Sequence, residues 1–251
     1  MYNPFSLEGK IILVTGASSG IGRATAIECS KMGATVVITG RNNPQLIETQ
    51  NGMRLHMGGG STIIRCNLTD ETELNQLVES TPVLHGAVLN AGISRLSPVK
   101  SIRREVLKQV LETNTVSAIM LLQKLLKSRK LADGSSVVFT SSMAALGETA
   151  VGTSIYSASK GALTAFVRVA ALEVADRGIR VNAICPGEVR TEMIADNDLM
   201  SGEADAGIRR YPLKRYGEPQ DIALAMVYFL SDASSWVTGT NFVIDGGMSI
   251  A

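Results

Sequence analysis

Cysteine is scarce in this chain of 251 residues: Cys29, Cys66 and Cys185 are odd in number and far apart. That argues against a disulfide framework, and no paired spacing reads as a zinc site. The two histidines, His56 and His85, are also separated, so a histidine-based metal site or triad has no sequence basis. No metal is expected. An excess of one charge is missing as well, because 24 basic against 23 acidic side chains leave a net charge of +1. A nucleic-acid or membrane-surface binder would carry a cationic excess. The first ten residues, Met1 to Lys10, have no basic-then-apolar targeting pattern, and no later apolar run reaches membrane-spanning length. The expectation is a cytoplasmic protein whose partners include neither nucleic acid nor membrane.

Apolar residues are plentiful, with 45% hydrophobic against 19% charged, which suits a filled globular core. Lys10 to Thr15 is a short β-branched run that meets a Gly-rich turn, after which Ile21 to Met32 has helical spacing and Gly33 as its stop. Further strand-like runs are Thr35 to Thr39, Thr62 to Cys66, Ala87 to Leu89, Ser136 to Thr140, Ile179 to Ala183 and Phe242 to Ile244. Helical segments lie between most of them, while Asn42 to Gly60 is poorly patterned. Alternating helices and strands, the strands apolar on both faces, predict a doubly wound Rossmann-type α/β domain. Its sheet is mostly parallel, of about seven strands, with helices on both faces. No Pro/Ser-rich linker, charge block or repeat divides the chain, so residues 1–251 read as a single domain. The acidic, small-residue stretch Asp196 to Arg210 predicts a mobile substrate lid around 192–215.

The run Thr15-Gly16-Ala17-Ser18-Ser19-Gly20-Ile21-Gly22 sits between the first strand and the first helix. There glycines let backbone N–H groups approach a pyrophosphate at the helix's positive end, so dinucleotide binding is expected rather than a plain turn. In the NAD-type pattern an acidic residue about 20 residues on accepts hydrogen bonds from the ribose hydroxyls. Here Gly40 and then Arg41 stand in that region. Without a carboxylate nothing repels a 2′-phosphate, and a guanidinium can pair with it, so NADP(H) is preferred. If Arg41 is only a solvated turn residue, NAD(H) is accepted too.

Tyr156 and Lys160 are four residues apart, hence on one face of a helix. A nearby ammonium and an oxidised nicotinamide favour a phenolate, which makes Tyr156 a candidate general acid/base. A tyrosine and lysine at this spacing also occur by chance. The pair gains weight from the ordered set around it: the glycine turn, Asn90-Ala91-Gly92 after a buried strand, Asn114 in a helix, and Ser141-Ser142 after another strand. In that order they resemble the short-chain dehydrogenase/reductase family from Thr15 through Asp245-Gly246-Gly247.

The resemblance implies that Tyr156 exchanges a proton with the substrate oxygen, Ser142 hydrogen-bonds that oxygen, Lys160 binds the nicotinamide ribose and Asn114 supports a water relay. Ser141 is the alternative serine. The gap from Ser142 to Tyr156 is slightly longer than the family's usual one. By the same resemblance Asn67 and Leu68 touch the adenine, Asn67 standing where many relatives have Asp. Asn90, Ala91 and Gly92 line the cofactor, and Pro186, Gly187, Val189 and Thr191 hold the nicotinamide amide. Each of these segments also fits a plain turn or cap.

Arg177 to Asn182 and Glu218 to Ala223 are similar to β-ketoacyl-acyl-carrier-protein reductases, which implies a 3-oxoacyl-[acyl-carrier-protein] substrate. Arg129 and Arg177 are then candidates to dock an acidic carrier protein, although basic residues at helix ends also favour the local dipole. Glu148 and Glu188 fall near where the family lines its substrate pocket. Two carboxylates there disfavour an acyl chain and point to a sugar, polyol or hydroxylated ring, unless both are simply solvated loop carboxylates. The resemblance further implies a homotetramer that buries the helix from Tyr156 to Ala175 and the Phe242-Val243-Ile244 region. A non-catalytic NADP(H)-binding regulator is the rival reading.

Overall fold

The computed structural model describes residues 2–54, 60–192 and 204–251. His56, the glycines at 58 and 59, and residues 193–203 of the expected lid lie outside the described residues.

Strand β1 (Ile11–Thr15) leads through the glycine turn into helix α1 (Gly20–Lys31), which ends where Gly33 takes φ +94°. Then come β2 (Thr35–Gly40), α2 (Asn43–Arg54), β3 (Ser61–Arg65) and α3 (Glu71–Ser80), whose N-terminus the Asp70 carboxylate caps at the Glu73 N–H. β4 (Leu84–Leu89) precedes α4 (Arg104–Leu111), a π-helical turn (Glu112–Val116) and α5 (Ser117–Lys127). β5 (Leu131–Thr140), α6 (Ser154–Glu173) and β6 (Arg180–Pro186) follow. The last elements are the short α7 (Ala204–Arg209), α8 (Pro219–Leu230), started by Pro219 and a Glu218/Asp221 capping box, and β7 (Asn241–Ile244).

All seven strands are parallel, in the order β3-β2-β1-β4-β5-β6-β7. The chain starts in mid-sheet and reverses direction between β1 and β4, the crevice where doubly wound sheets hold ligands. Two apolar layers cover the sheet. Leu74 and Leu77 of α3, Leu121, Leu122 and Leu125 of α5, and Leu163 and Val167 of α6 pack on one face with Phe139. Ala26 and Cys29 of α1, Leu46 and Met53 of α2, and Met226 and Phe229 of α8 pack on the other. Each large side chain buried this way contributes roughly 1.5–3 kcal/mol before entropy is counted.

Three local features differ from the sequence reading. The unpatterned stretch after Asn42 forms α2, whose inward stripe is only Leu46, Thr49 and Met53. β5 begins at Leu131 rather than Ser136, since Leu84 pairs with Leu131 across an irregularity in β4. Asn114 lies in a π turn, not in regular helix. Among the described residues no helix is long and apolar enough to cross a membrane, and no group of three His, Cys, Asp or Glu could hold a metal ion.

Candidate active site

The site gathers at the C-terminal edge of the sheet. The glycine turn is shaped by contacts that forbid side chains. A Cβ on Gly22 would lie 2.2 Å from the Gly16 carbonyl oxygen, one on Gly16 2.9 Å from Ala91 Cα, and one on Gly20 3.1 Å from Thr191 Cγ2. Gly16 and Gly20 also have φ of +62° and +53°. Ser19 is the N-cap of α1 in extended conformation, yet its hydroxyl caps nothing. The helix's first N–H groups are therefore left to an external acceptor, which fits a pyrophosphate. Ile21 packs on the core behind the turn, and Arg23 donates to the Ser18 carbonyl.

Next to the turn, Ser18 Oγ is 3.6 Å from where a Gly40 Cβ would stand, and Arg41 is exposed beside them. Asn90 is fully engaged. Its N–H donates to Thr15 Oγ1 (2.9 Å), its Nδ2 to the Thr15 carbonyl (3.3 Å), and its Oδ1 accepts from Thr140 Oγ1 (3.0 Å). Ala91 N–H shares Thr15 Oγ1 at 3.1 Å, so this segment ties together the ends of β1, β4 and β5. Gly92 lies against Asn114 Oδ1 and Lys160 Nζ, each 3.3 Å from its Cβ position. Asn67 lies just beyond β3, its N–H donating to Glu73 Oε2 at 2.8 Å, and the neighbouring Leu68 packs on the core. Pro186 ends β6, Gly187 N–H donates to the Ile244 carbonyl (2.9 Å), and the buried Val189 bridges to Gly217.

Ser142 leaves β5 at the head of a short 3-10 turn, its Oγ accepting from Ala144 N–H at 3.1 Å. Across from it α6 presents Tyr156, whose phenol hydrogen-bonds Ser142. Lys160 Nζ lies 5.8 Å from the Tyr156 ring centroid and donates to the Thr140 carbonyl at 2.7 Å. Ser141 turns inward instead, donating to the Lys160 carbonyl at 3.0 Å. Asn114 is buried in the π turn, with Oδ1 accepting from Ile93 N–H (2.8 Å) and Nδ2 donating to the Ile93 carbonyl (2.9 Å) and to Ser159 Oγ (3.0 Å). Ser159 Oγ in turn donates to the Tyr156 carbonyl at 2.7 Å. A π turn adds a residue to one helical turn, which swings Asn114 out of helical register toward α6.

Burial sets the protonation of this group. It pushes the Lys160 ammonium down to about 8 and the neighbouring Cys185 thiol up to about 11. It also raises the Tyr156 phenol, against the Ser142 hydrogen bond that lowers it. The expected depression of the phenol by Lys160 is thus not what dominates here.

The wall beyond Ser142 is acidic. Burial and the adjacent Glu188 raise the Glu148 carboxyl, while Arg210 opposes them. Glu188 is exposed, and its N–H donates to Tyr211 Oη at 3.1 Å. Tyr211 also stacks edge-on with Tyr216. Arg129 and Arg177 lie at the other end of their sheet. Arg177 binds Asp133 (2.9 Å) and the Leu131 carbonyl (2.6 Å), at the start of the ten-residue β5 whose far end carries Thr140. Leu131 pairs with Leu84 and Phe139 with Leu89, so the separation along the sheet is about 20 Å, at a rise of about 3.3 Å per residue.

Sequence reasoning missed Thr15, Thr140 and Ser159. A polar residue closing the apolar run of β1 could have flagged Thr15. Ser159, within the Tyr156 to Lys160 stretch, carried no signal of being completely buried.

A family model described as enoyl-(acyl carrier protein) reductase matches residues 16–249. The chain is 34% identical over 246 residues to a 3-oxoacyl-[acyl-carrier-protein] reductase of Rickettsia bellii, spanning 96% of this chain and 98% of that protein. It superposes on a short-chain type dehydrogenase/reductase from Mycobacterium marinum with a TM-score of 0.89 at 29% identity, over 99% and 98% of the two chains. A Beutenbergia cavernae protein assigned as an NAD(P)-dependent gluconate 5-dehydrogenase, solved with NADP at low occupancy, gives 0.90 at 31% identity over 99% and 100%. The chain belongs to the short-chain dehydrogenase/reductase family, oxidoreductases that act between CH–OH and C=O with NAD(P).

Proposed function

We propose that this enzyme prefers NADP(H) and interconverts a carbonyl with a secondary alcohol, Tyr156 exchanging the proton at the substrate oxygen. The convergence of the Ser142 hydroxyl, the Tyr156 phenol and the Lys160 ammonium at the end of β5 carries this reading. The nicotinamide supplies or accepts the hydride. Ser142 and Tyr156 stabilise the alkoxide character that develops on the substrate oxygen. Lys160 orients the nicotinamide ribose, and Asn114, held by Ile93 and Ser159, supports proton relay behind it. The turn from Gly16 to Gly22, with Asn90 to Gly92 beside it, cradles the pyrophosphate. Asn67 and Leu68 border the adenine, and Pro186, Gly187, Val189 and Thr191 the nicotinamide. Arg41 pairs with the 2′-phosphate.

The name of the Rickettsia relative supports a 3-oxoacyl-carrier substrate. The half-buried Glu148 carboxylate, with Glu188 beside it, favours a sugar, polyol or hydroxylated ring, because an acyl chain offers Glu148 no hydrogen-bond partner. We further read residues 1–251 as one cytoplasmic domain with a lid around 192–215. The assembly is a homotetramer that covers two exposed apolar faces: Val169 and Leu172 on α6, and Phe242 and Val243 on β7 with Trp236 near them.

The test is steady-state oxidation of NADPH and NADH against 3-oxoacyl thioesters, keto sugars and cyclic ketones. Turnover should occur and fall by about three orders of magnitude or more in Tyr156→Phe. Tight NADPH binding with no turnover across the panel would replace the enzyme by a cofactor-binding regulator. If Glu148→Ala and Glu188→Ala leave kcat/KM unchanged for every accepted substrate, the hydroxylated-substrate reading fails.

A further inference from the structure

We propose, resting on that reading of the cleft, that the substrate is carried on a pyrophosphate handle. The handle lies along the basic segment from Arg95 to Lys108, while the hydroxylated reactive end faces Glu148 and Glu188.

Arg95, Lys100, Arg103, Arg104 and Lys108 are all exposed, and Glu105 is the single acidic residue among them. Eight cations elsewhere, Lys10, Arg23, Lys31, Arg65, Lys124, Arg177, Arg190 and Arg215, are each in an ion pair, whereas these five lie within fourteen residues of one another. None of the five on this segment forms an ion pair with a described residue, and Arg95 bonds only the neighbouring Ser94 carbonyl. The local fold gains nothing from them either. Arg103 is the N-cap of α4 and Arg104 its first residue, at the helix end where the macrodipole disfavours cations, and no side chain caps that end. Unpaired cations massed against the dipole raise the local potential and attract a multiply charged anion.

Their position joins them to the chemistry. The segment starts at Ile93, which Asn114 grips through both backbone groups, and Ser97 N–H donates to the Gly152 carbonyl at 2.9 Å. Gly152 belongs to the stretch that runs from Glu148 into α6 and Tyr156. One side of that stretch therefore carries the acidic wall and the other touches the basic segment. On this proposal the cationic segment and the acidic wall, joined through Ser97 and Gly152, together orient a substrate that is anionic at one end and rich in hydroxyls at the other. Nucleoside-diphosphate-linked sugars and coenzyme A thioesters share the pyrophosphate; the test separates them.

The protein is saturated with NADP+ to fill the dinucleotide site, then titrated calorimetrically with UDP and, separately, with coenzyme A. One probe should bind, and R103Q/R104Q/K108Q should weaken it by about tenfold, as three exposed charge contacts would. Raising NaCl should erode the same difference, and NADPH affinity should not change. Binding of UDP identifies the nucleotide-sugar source, whereas binding of coenzyme A keeps the pyrophosphate handle but overturns the hydroxylated reactive end. The proposal is overturned if neither probe binds, or if the triple variant binds as the parent does. Should the triple variant not fold, R104Q and K108Q singly face the same comparison. Tyr156-dependent turnover of an uncharged cyclic ketone tests the oxidoreductase reading separately, so each idea can fail without the other.

Discussion

Replacing Gly40 by Asp should turn the cofactor preference from NADPH to NADH. The backbone accepts the change: Gly40 is outside the left-handed region, and a Cβ there meets Leu46 Cδ2 and Ser18 Oγ at 3.6 Å, ordinary van der Waals contact. If the new carboxylate falls about 5 Å from the 2′-phosphate, like charges there repel by roughly 3 kcal/mol at an effective dielectric of about 20. Solvent at this exposed rim reduces that to about 2 kcal/mol, or roughly 30-fold in NADPH affinity. With NADH the same carboxylate accepts the ribose hydroxyls, which adds about 1 kcal/mol in the opposite direction. The ratio of kcat/KM for NADPH over NADH should therefore fall by about two orders of magnitude. Arg41→Ala, which removes attraction without adding repulsion, should lower it by about tenfold. Both ratios come from initial rates with each cofactor against one substrate. A change below about threefold in G40D, with an unaltered melting temperature, would refute the placement of the 2′-phosphate.

The other substitutions probe the turn and the catalytic helix. Gly22→Ala drives a methyl group to 2.2 Å from the Gly16 carbonyl, so the turn must open. NADPH affinity measured by fluorescence should drop by at least about 100-fold, and binding within threefold of the parent would contradict the cradle. Lys160→Met should raise stability at neutral pH. The native ammonium is depressed to about 8 from an unfolded value of 10.5, so folding carries a cost of about 3 kcal/mol below pH 8. Between those values the unfolded chain binds the extra proton, so the parent should gain stability as pH rises from 8 to 10.5 and the variant should not; urea midpoints across that range decide it. Ser159→Ala leaves Asn114 Nδ2 with only the Ile93 carbonyl. We expect kcat to fall about tenfold with KM for NADPH unchanged, and equal kcat would remove Ser159 from the positioning network. The Tyr156 phenol, raised by burial, should ionise above the ordinary phenol range in cofactor-free protein, and saturating NADP+ should lower its titration midpoint; a midpoint unmoved by NADP+ would count against that electrostatic role.

Local sequence determined which elements form wherever its signals were strong. β-branched runs bounded by glycine gave β1, β2 and β6, and the order of glycine turn, Asn90, Asn114, Ser142 and Tyr156 pointed to the family before any coordinates. It was silent where a segment's partners lie far away in the chain. α2 has too sparse an apolar stripe to declare itself, and its Leu46 and Met53 become core only when β2 and α1 are beneath them. Only the family resemblance favours Ser142 over the adjacent Ser141, because nothing in two neighbouring identical residues says which way each side chain turns. Strand alternation turns one toward the Lys160 carbonyl and the other toward the phenol. Charge behaved the same way. Residue types named Lys160 and Tyr156, but desolvation, which depends on everything packed around them, sets the direction of both shifts. A balanced composition with a net charge of +1 says nothing of where the charges lie. Sequence sets the number of charges, while only the tertiary structure joins the segment that carries Arg95 to the one that carries Glu148, through Ser97 N–H and the Gly152 carbonyl.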